Sequence, residues 1–190
     1  MSQPRKVAVV VGSLRKDSVT RKVARAIEAL APTHLTFDDV GVGDLPLYNQ
    51  DSEADPPAAY VAFRNRIRAA DAVLFATPEY NRSVPGVLKN AVDVGSRPYG
   101  QSVWDGRPAA VVSVSPGAIG GFGANHHLRQ SLVFLNMPVL QQPEAYVGNA
   151  MSLFDENGEL TNAATGDFLR TFGRAFADWI DKVLAARGDT

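Results

Sequence analysis

Pro78-Glu79-Tyr80-Asn81-Arg82-Ser83-Val84-Pro85-Gly86-Val87-Leu88-Lys89-Asn90 follows the apolar run Ala72-Val73-Leu74-Phe75-Ala76-Thr77, and this junction decides the fold. The apolar run reads as a strand buried on both faces. After it the spacing predicts a helix, with Ser83 as its cap and Pro85 in its first turn, where a missing N–H costs little. The Pro, Tyr, Asn and Gly between them suit a loop that lays backbone and an aromatic ring beside a flat ligand. The unit is strand, ligand loop, helix.

The same unit opens the chain. Residues 6–11 form a β-branched run, and Gly12-Ser13-Leu14-Arg15-Lys16-Asp17-Ser18 follows it. Ser18 can cap the next helix, whose apolar face carries Val19, Val23, Ile27 and Leu30 until Pro32 ends it. Leu35-Thr36-Phe37 is a short strand. Residues 41–57 are a long loop, and Tyr60, Phe63 and Ile67 stripe a second helix. Residues 108–115 are a fourth strand, followed by a glycine-rich turn at 116–123 and a helix faced by Leu128, Leu132 and Leu135. Pro138-Val139-Leu140 is expected to begin a fifth strand. Residues 151–158 read as an excursion that turns at Asp155-Glu156-Asn157-Gly158. Leu169, Phe172, Phe176, Ile180 and Val183 mark the last helix.

Alternating strands and helices give an α/β fold with a parallel sheet, because right-handed crossovers put helices on both faces. The element count fits a three-layer α/β/α arrangement with strand order 2-1-3-4-5, read as one domain over residues 1–190. The order reverses between the first and third strands, and ligands bind at the carboxyl ends of strands at such a point. Both singled-out loops leave those ends.

Composition narrows the chemistry. The chain has 190 residues, 45% of them hydrophobic, a net charge of −1 and no cysteine. Disulfides, thiolate catalysis, Cys-ligated zinc and iron–sulfur clusters are excluded. Redox work needs an external cofactor. The charge gives no attraction to nucleic acid or anionic lipid. The first apolar run is too short to span a bilayer, so a cytoplasmic protein without membrane insertion is expected. His126 and His127 are adjacent and point apart on a helix, which makes a poor metal pair. No metal site is expected, and both read as helix-surface or interface residues. Trp104 is expected to act as a subunit contact or hydrophobic lid.

In the first loop, helix N-terminal amides favour an anion. Ser13 and Ser18 can donate to phosphate oxygens, and Arg15 can add a charge-assisted pair. A plain cap role for Ser18 and a solvated Arg15 are the alternatives. A nucleoside-triphosphate loop needs Gly-Lys-Ser/Thr at the helix start, which is absent. A dinucleotide fingerprint needs glycines where Leu14 and Asp17 stand. Asp38 and Asp39 therefore read as solvated carboxylates, not as a ribose clamp.

Gly12, Ser13, Leu14, Arg15 and Ser18 resemble the phosphate loop of the flavodoxin-like NADPH-dependent FMN reductases, the group with the quinone, chromate and azo-dye reductases. Thr20 stands where that pattern usually has Asn. Pro78, Glu79, Tyr80, Asn81, Ser83, Pro85, Gly86, Leu88, Lys89, Asn90, Ala91 and Asp93 agree with its second loop; Val94 replaces a frequent Trp. The resemblance implies bound FMN, with its phosphate at Ser13, Arg15, Ser18 and Thr20. It places the ring and ribityl chain against Pro78, Glu79, Tyr80, Asn81 and Ser83, and the pyrimidine end beside Ser115 and Gly117. Glycines 120, 121 and 123 could serve the ring or merely the crossover. Lys89 and Asp93 could serve either the site or a solvated helix face.

The expected activity is FMN-dependent NAD(P)H oxidation with a quinone or another small acceptor, by ping-pong kinetics and with no side-chain acid or base. NADPH or NADH is the donor; Arg15 and Lys16 could meet a 2′-phosphate. Two other readings stay open: a flavodoxin-type electron carrier, and a nicotinamide-dependent dehydrogenase without flavin. Family resemblance also implies a homodimer or homotetramer. Arg82 of one subunit is expected to meet Glu144 of another near His126, with solvated loop charges as the alternative.

Overall fold

The computed structural model describes residues 3–188. Five strands alternate with five long helices. These are β1 (Arg5–Val11), α1 (Val19–Leu30), β2 (Leu35–Asp39), α2 (Ala58–Arg68) and β3 (Ala72–Pro78). Then come α3 (Gly86–Ser96), β4 (Ala109–Val114), α4 (Phe122–Phe134), β5 (Ala145–Val147) and α5 (Ala163–Arg187). All pairings are parallel, and the order is β2-β1-β3-β4-β5. This is the expected flavodoxin-like arrangement, with its reversal between β1 and β3.

Strand alternation builds two cores. Val7, Val9 and Val11 face α1 and α5, where Val23, Ile27, Leu169, Phe172, Phe176 and Ile180 pack. Ala8 and Val10 face the opposite layer with Phe63, Ile67, Leu88, Leu128 and Leu132 from α2, α3 and α4. Ala72, Val73, Leu74, Phe75 and Ala76 of β3 are fully buried. A central strand covered on both faces is apolar along nearly all its length; the one polar side chain of β3, Thr77, is buried and bonded to Pro78 O.

Several expectations change. The fifth strand is Ala145–Val147 and does not begin at Pro138. Residues 138–140 make a single bridge, Ala109 with Val139, before the chain departs through Gln142 and Pro143. Pro138 contributes only its carbonyl, which accepts from Ala109 N–H. A proline cannot donate to a ladder. Leu184, not Val183, completes the buried face of α5. Ser83 does not cap α3. Pro85 holds the cap position, where its ring has no group to offer a cap bond, and the Ser83 hydroxyl meets His127 instead.

Trp104 is neither lid nor subunit contact. It is fully buried, its indole N–H donates to Val92 O at 2.9 Å, and its ring packs against Phe63 and Phe75. A large ring with its polar tip satisfied is a core residue.

Candidate cofactor-binding site

The first loop is shaped by what lies beneath it. Gly12 N–H extends the β1 ladder by donating to Ala76 O at 2.8 Å. A Cβ at Gly12 would stand 3.0 Å from Leu88 Cδ2 and 3.4 Å from Pro78 Cδ. The first loop therefore leaves the sheet wedged against the second loop and the start of α3. Gly43, in the long loop after β2, approaches Leu14 closely enough that a Cβ would lie 3.2 Å from it.

Ser13, Ser18 and Thr20 are buried, whereas Arg15 is exposed. Ser18 Oγ accepts from Arg21 N–H at 3.2 Å and so caps α1. That bond uses a lone pair and leaves the Ser18 hydroxyl hydrogen free to donate. The amides of Val19 and Thr20 open the helix and have no intrahelical acceptor. Ser13 Oγ has no hydrogen-bond partner among the described residues. Buried hydroxyls beside helix-terminal amides form an anion cradle. Asp38 and Asp39 are elsewhere, paired with Lys6 and Arg66 and with Arg21 respectively.

The second loop is a tight turn. Tyr80 N–H donates to Ser83 O and Ser83 N–H returns to Tyr80 O, both at 3.0 Å. Asn81 and Arg82 between them have φ of 51° and 63°. Tyr80 is 49% exposed, so part of its ring remains available as a flat surface. The Glu79 carboxylate turns away to α4, where one oxygen accepts from Ala124 N–H at 3.0 Å. The other lies 3.4 Å from Arg82. Ser83 Oγ is 2.7 Å from His127 Nδ1. Lys89 and Asp93 pair with each other on the exposed side of α3.

The third loop is braced by β5. The register places Val114 opposite Pro78, so Ser115 leaves the same end of the sheet as Glu79. Ser115 Oγ accepts from Gly117 N–H at 3.1 Å, and Gly117 O accepts from Asn149 N–H. Gly120 has φ 66°, and a Cβ there would strike the Tyr146 backbone at 2.7 Å. Packing alone therefore demands that glycine. Tyr146 sits between His126, at 2.7 Å, and Glu144. Burial first, and then its hydrogen bond to Glu144, push its hydroxyl up to about 12. Glu144 also stands 3.7 Å from His126 of its own chain.

Three of the residues shaping the site escaped the sequence reading of their roles. Asn90, on the buried side of α3, receives Tyr48 N–H and donates to Pro46 O, pinning the long loop to the helix. Its signal was a polar residue at a core position of the α3 stripe. Asn125 is buried and donates to Ser113 Oγ and Ala145 O, which ties α4 to β4 and β5. His127 reaches the second loop from a helix that spacing alone could not orient. A separate cavity of about 330 Å³ between α2 and α3 is walled by Tyr48, Tyr60, Arg64 and Arg97. It lies away from the three loops.

Residues 5–152 match the model of the NADPH-dependent FMN reductases. The chain belongs to that family. It is 66% identical over 181 residues to a quinone reductase of Pseudomonas putida, covering 95% of this chain and 97% of that protein. A 2-hydroxy-1,4-benzoquinone reductase of a Burkholderia species is 48% identical, with 92% and 96% covered. The solved flavoenzyme NAD(P)H:(acceptor) oxidoreductase of Paracoccus denitrificans superposes with a TM-score of 0.89 at 45% identity, over 94% of this chain and 98% of that one. The protein is thus an oxidoreductase of the FMN reductase family that takes electrons from NAD(P)H. The electron-carrier and flavin-free dehydrogenase readings fall with that membership.

FMN fits the residues present. The phosphate needs donors, and the Ser13 hydroxyl and first α1 amides offer them unspent. The flat ring needs an exposed shelf, and Tyr80 supplies half an open face beside it. Among the described residues no group of three potential metal ligands occurs, and no helix is long and apolar enough to cross a membrane.

Proposed function

We propose that this FMN reductase reduces quinones, with Ser13, Arg15, Ser18 and Thr20 receiving the cofactor phosphate. In this reading Pro78, Tyr80, Asn81 and Ser83 border the ring and ribityl chain, and Ser115 and Gly117 border its pyrimidine end. Glu79 acts at one remove, by fixing the turn against α4. The observation that carries the reading is the junction at Gly12, where Leu88 and Pro78 bring the two loops into contact at the switch point of the sheet. Quinone as acceptor is supported by the names of the Pseudomonas putida and Burkholderia relatives.

When bound, FMN supplies the hydride chemistry between nicotinamide and acceptor. The chain's contribution is placement. Helix amides and hydroxyls hold the phosphate, the turn presents backbone polar groups, and the Tyr80 ring leaves one face open. Donor and acceptor must use that face in turn, so the kinetics are ping-pong. No side-chain proton donor is required. The protein works in the cytoplasm as a homodimer or homotetramer, and Arg82, at 76% side-chain exposure, exchanges its contact with Glu79 of its own chain for Glu144 of a second copy.

An absorbance spectrum under anaerobic conditions tests this. Purified protein should carry the yellow flavin bands, lose them on adding NADPH, and regain them on adding benzoquinone. Bands that persist after NADPH, or that stay bleached with quinone, sink the reading.

A further inference from the structure

We propose that His127 is a positioning residue for the second loop. Its ring holds Ser83, and through Ser83 the Asn81-Arg82 turn, in the shape that receives the flavin ring. The flavin part rests on the function proposed above.

The turn needs holding. Asn81 and Arg82 both have positive φ, 51° and 63°. Two-residue turns of that kind favour Asn and then Gly, because a side chain is disfavoured at positive φ. Here the second position is Arg. Residues in such regions persist when their surroundings over-determine them. The two cross-turn backbone bonds, at 3.0 Å each, do part of that.

The rest comes from the first two turns of α4, which reach the loop at three points. Glu79 carboxylate accepts from Ala124 N–H at 3.0 Å. Gly123 lies so near that a Cβ would stand 2.8 Å from Arg82 O. His127 Nδ1 lies 2.7 Å from Ser83 Oγ. The first two lie before or within the turn. Of these three, only His127 reaches its far end, where the chain passes to α3. Ser83 is the side-chain partner of the His127 ring among the described residues. A hydroxyl donates or accepts, so the contact forms with either ring tautomer.

The geometry sets a selective test. Asn carries a polar atom where His has Nδ1, and Gln carries one where His has Nε2. His127→Ala and His127→Gln should therefore raise amide hydrogen exchange at Tyr80 and Ser83, and His127→Asn should restore protection. Loss of one hydrogen bond at this site should weaken FMN and riboflavin alike, by about threefold to tenfold, because the turn serves the ring and not the phosphate. Ser83→Ala should have the same effect, and combining it with His127→Ala should add little. A helix-stability role would lower the melting temperature and leave the two amides protected. Unchanged exchange at Tyr80 and Ser83 in His127→Ala overturns the latch, as does rescue by Gln in place of Asn. Parent protein that takes up no flavin overturns the functional reading instead, and the exchange data still decide the latch.

Discussion

A Cβ on Gly95 would stand 2.4 Å from the Trp104 indole, so the tryptophan lies directly on the backbone of α3. The ring fills the space between α3, Phe63 and Phe75, and it leaves no room for a methyl group. Overpacking of a close-packed core costs typically 1–3 kcal/mol. Gly95→Ala should destabilise by about 3 kcal/mol, near the top of that range, although alanine is the better helix former. Urea unfolding checks this; a variant as stable as the parent would mean that the indole moves aside.

Gly12 poses a similar restriction at the site itself. The methyl of Gly12→Ala would press on Leu88 at 3.0–3.1 Å and on Pro78 at 3.4 Å. These contacts are tight without being impossible, so the loops should shift by a few tenths of an ångström. The expected result is a fold that survives, with about 1–2 kcal/mol lost in stability. FMN affinity should fall more than stability implies, because both cofactor loops move together. Fluorescence titration with FMN, set beside a thermal melt, separates the two effects. Equal affinity in parent and variant would show that the junction does not position the cofactor.

Much of this was legible in the sequence, for identifiable reasons. A β-branched run at residues 6–11 and an apolar run at 72–77 point to the central strands, which are covered on both faces. The loop after each strand then located the site through topology. What escaped depended on contacts far apart in the chain. Trp104 gave no hint that Gly95 and Val92, on a preceding helix, would receive it. Ser83 had the right residue type for a helix cap, but Pro85 takes the cap position and the Ser83 hydroxyl meets His127, 44 residues further on. Nothing in the motif around Glu79 shows that its carboxylate meets a helix end 45 residues further on. The fifth strand was placed early because Pro138-Val139-Leu140 has strand composition, and a single bridge was all it could form.

Asn90 is expected to govern the long loop after β2. Its amide receives Tyr48 N–H at 2.8 Å and donates to Pro46 O at 2.9 Å, while only 7% exposed. It also donates to Leu45 O at 3.3 Å. Removing the side chain strands the Tyr48 N–H and takes a donor from Leu45 O, while Pro46 O keeps the Tyr60 hydroxyl. One unsatisfied buried group costs about 1–3 kcal/mol. Asn90→Ala should lose about that much and open residues 41–57 to proteolysis. Asn90→Asp should be worse, since a carboxylate would then face two carbonyls. Limited trypsin or chymotrypsin digestion gives the answer; cleavage confined to other segments would refute the pinning role.

Acid should weaken the edge of the sheet through Asp38. The hydrogen bond from Arg66 holds its carboxyl below the usual range and outweighs the upward push of burial; Lys6, at 3.3 Å, adds to the lowering. A depressed carboxylate contributes stability above its unfolded-state value and loses it as pH falls through the folded value. Asp38→Asn should therefore differ from the parent at neutral pH and converge on it in acid. For a pair this close to solvent the gap is about 0–1 kcal/mol. Urea midpoints at about pH 7 and about pH 3 measure it, following the linkage relation. A gap that stays constant between them would assign the difference to something other than ionisation.

Arg15 offers the sharpest separation of phosphate from ring. It is exposed in the first loop, two residues beyond the buried Ser13 and three before the Ser18 cap. No carboxylate pairs with it among the described residues, so its charge is uncommitted. A hydrogen bond to a charged group contributes about 1.5–3 kcal/mol. Since about 1.4 kcal/mol is tenfold in affinity, Arg15→Ala should weaken FMN roughly tenfold to a hundredfold. Riboflavin has the same ring and no phosphate, so its affinity should barely change. Arg15→Lys should recover part of the loss, because an ammonium keeps the charge without the planar fork. Stability should stay within about 0.5 kcal/mol of the parent, as for other surface substitutions. Titrating both flavins against parent, Ala and Lys variants at fixed ionic strength settles it. Equal losses for FMN and riboflavin would place Arg15 somewhere other than the phosphate.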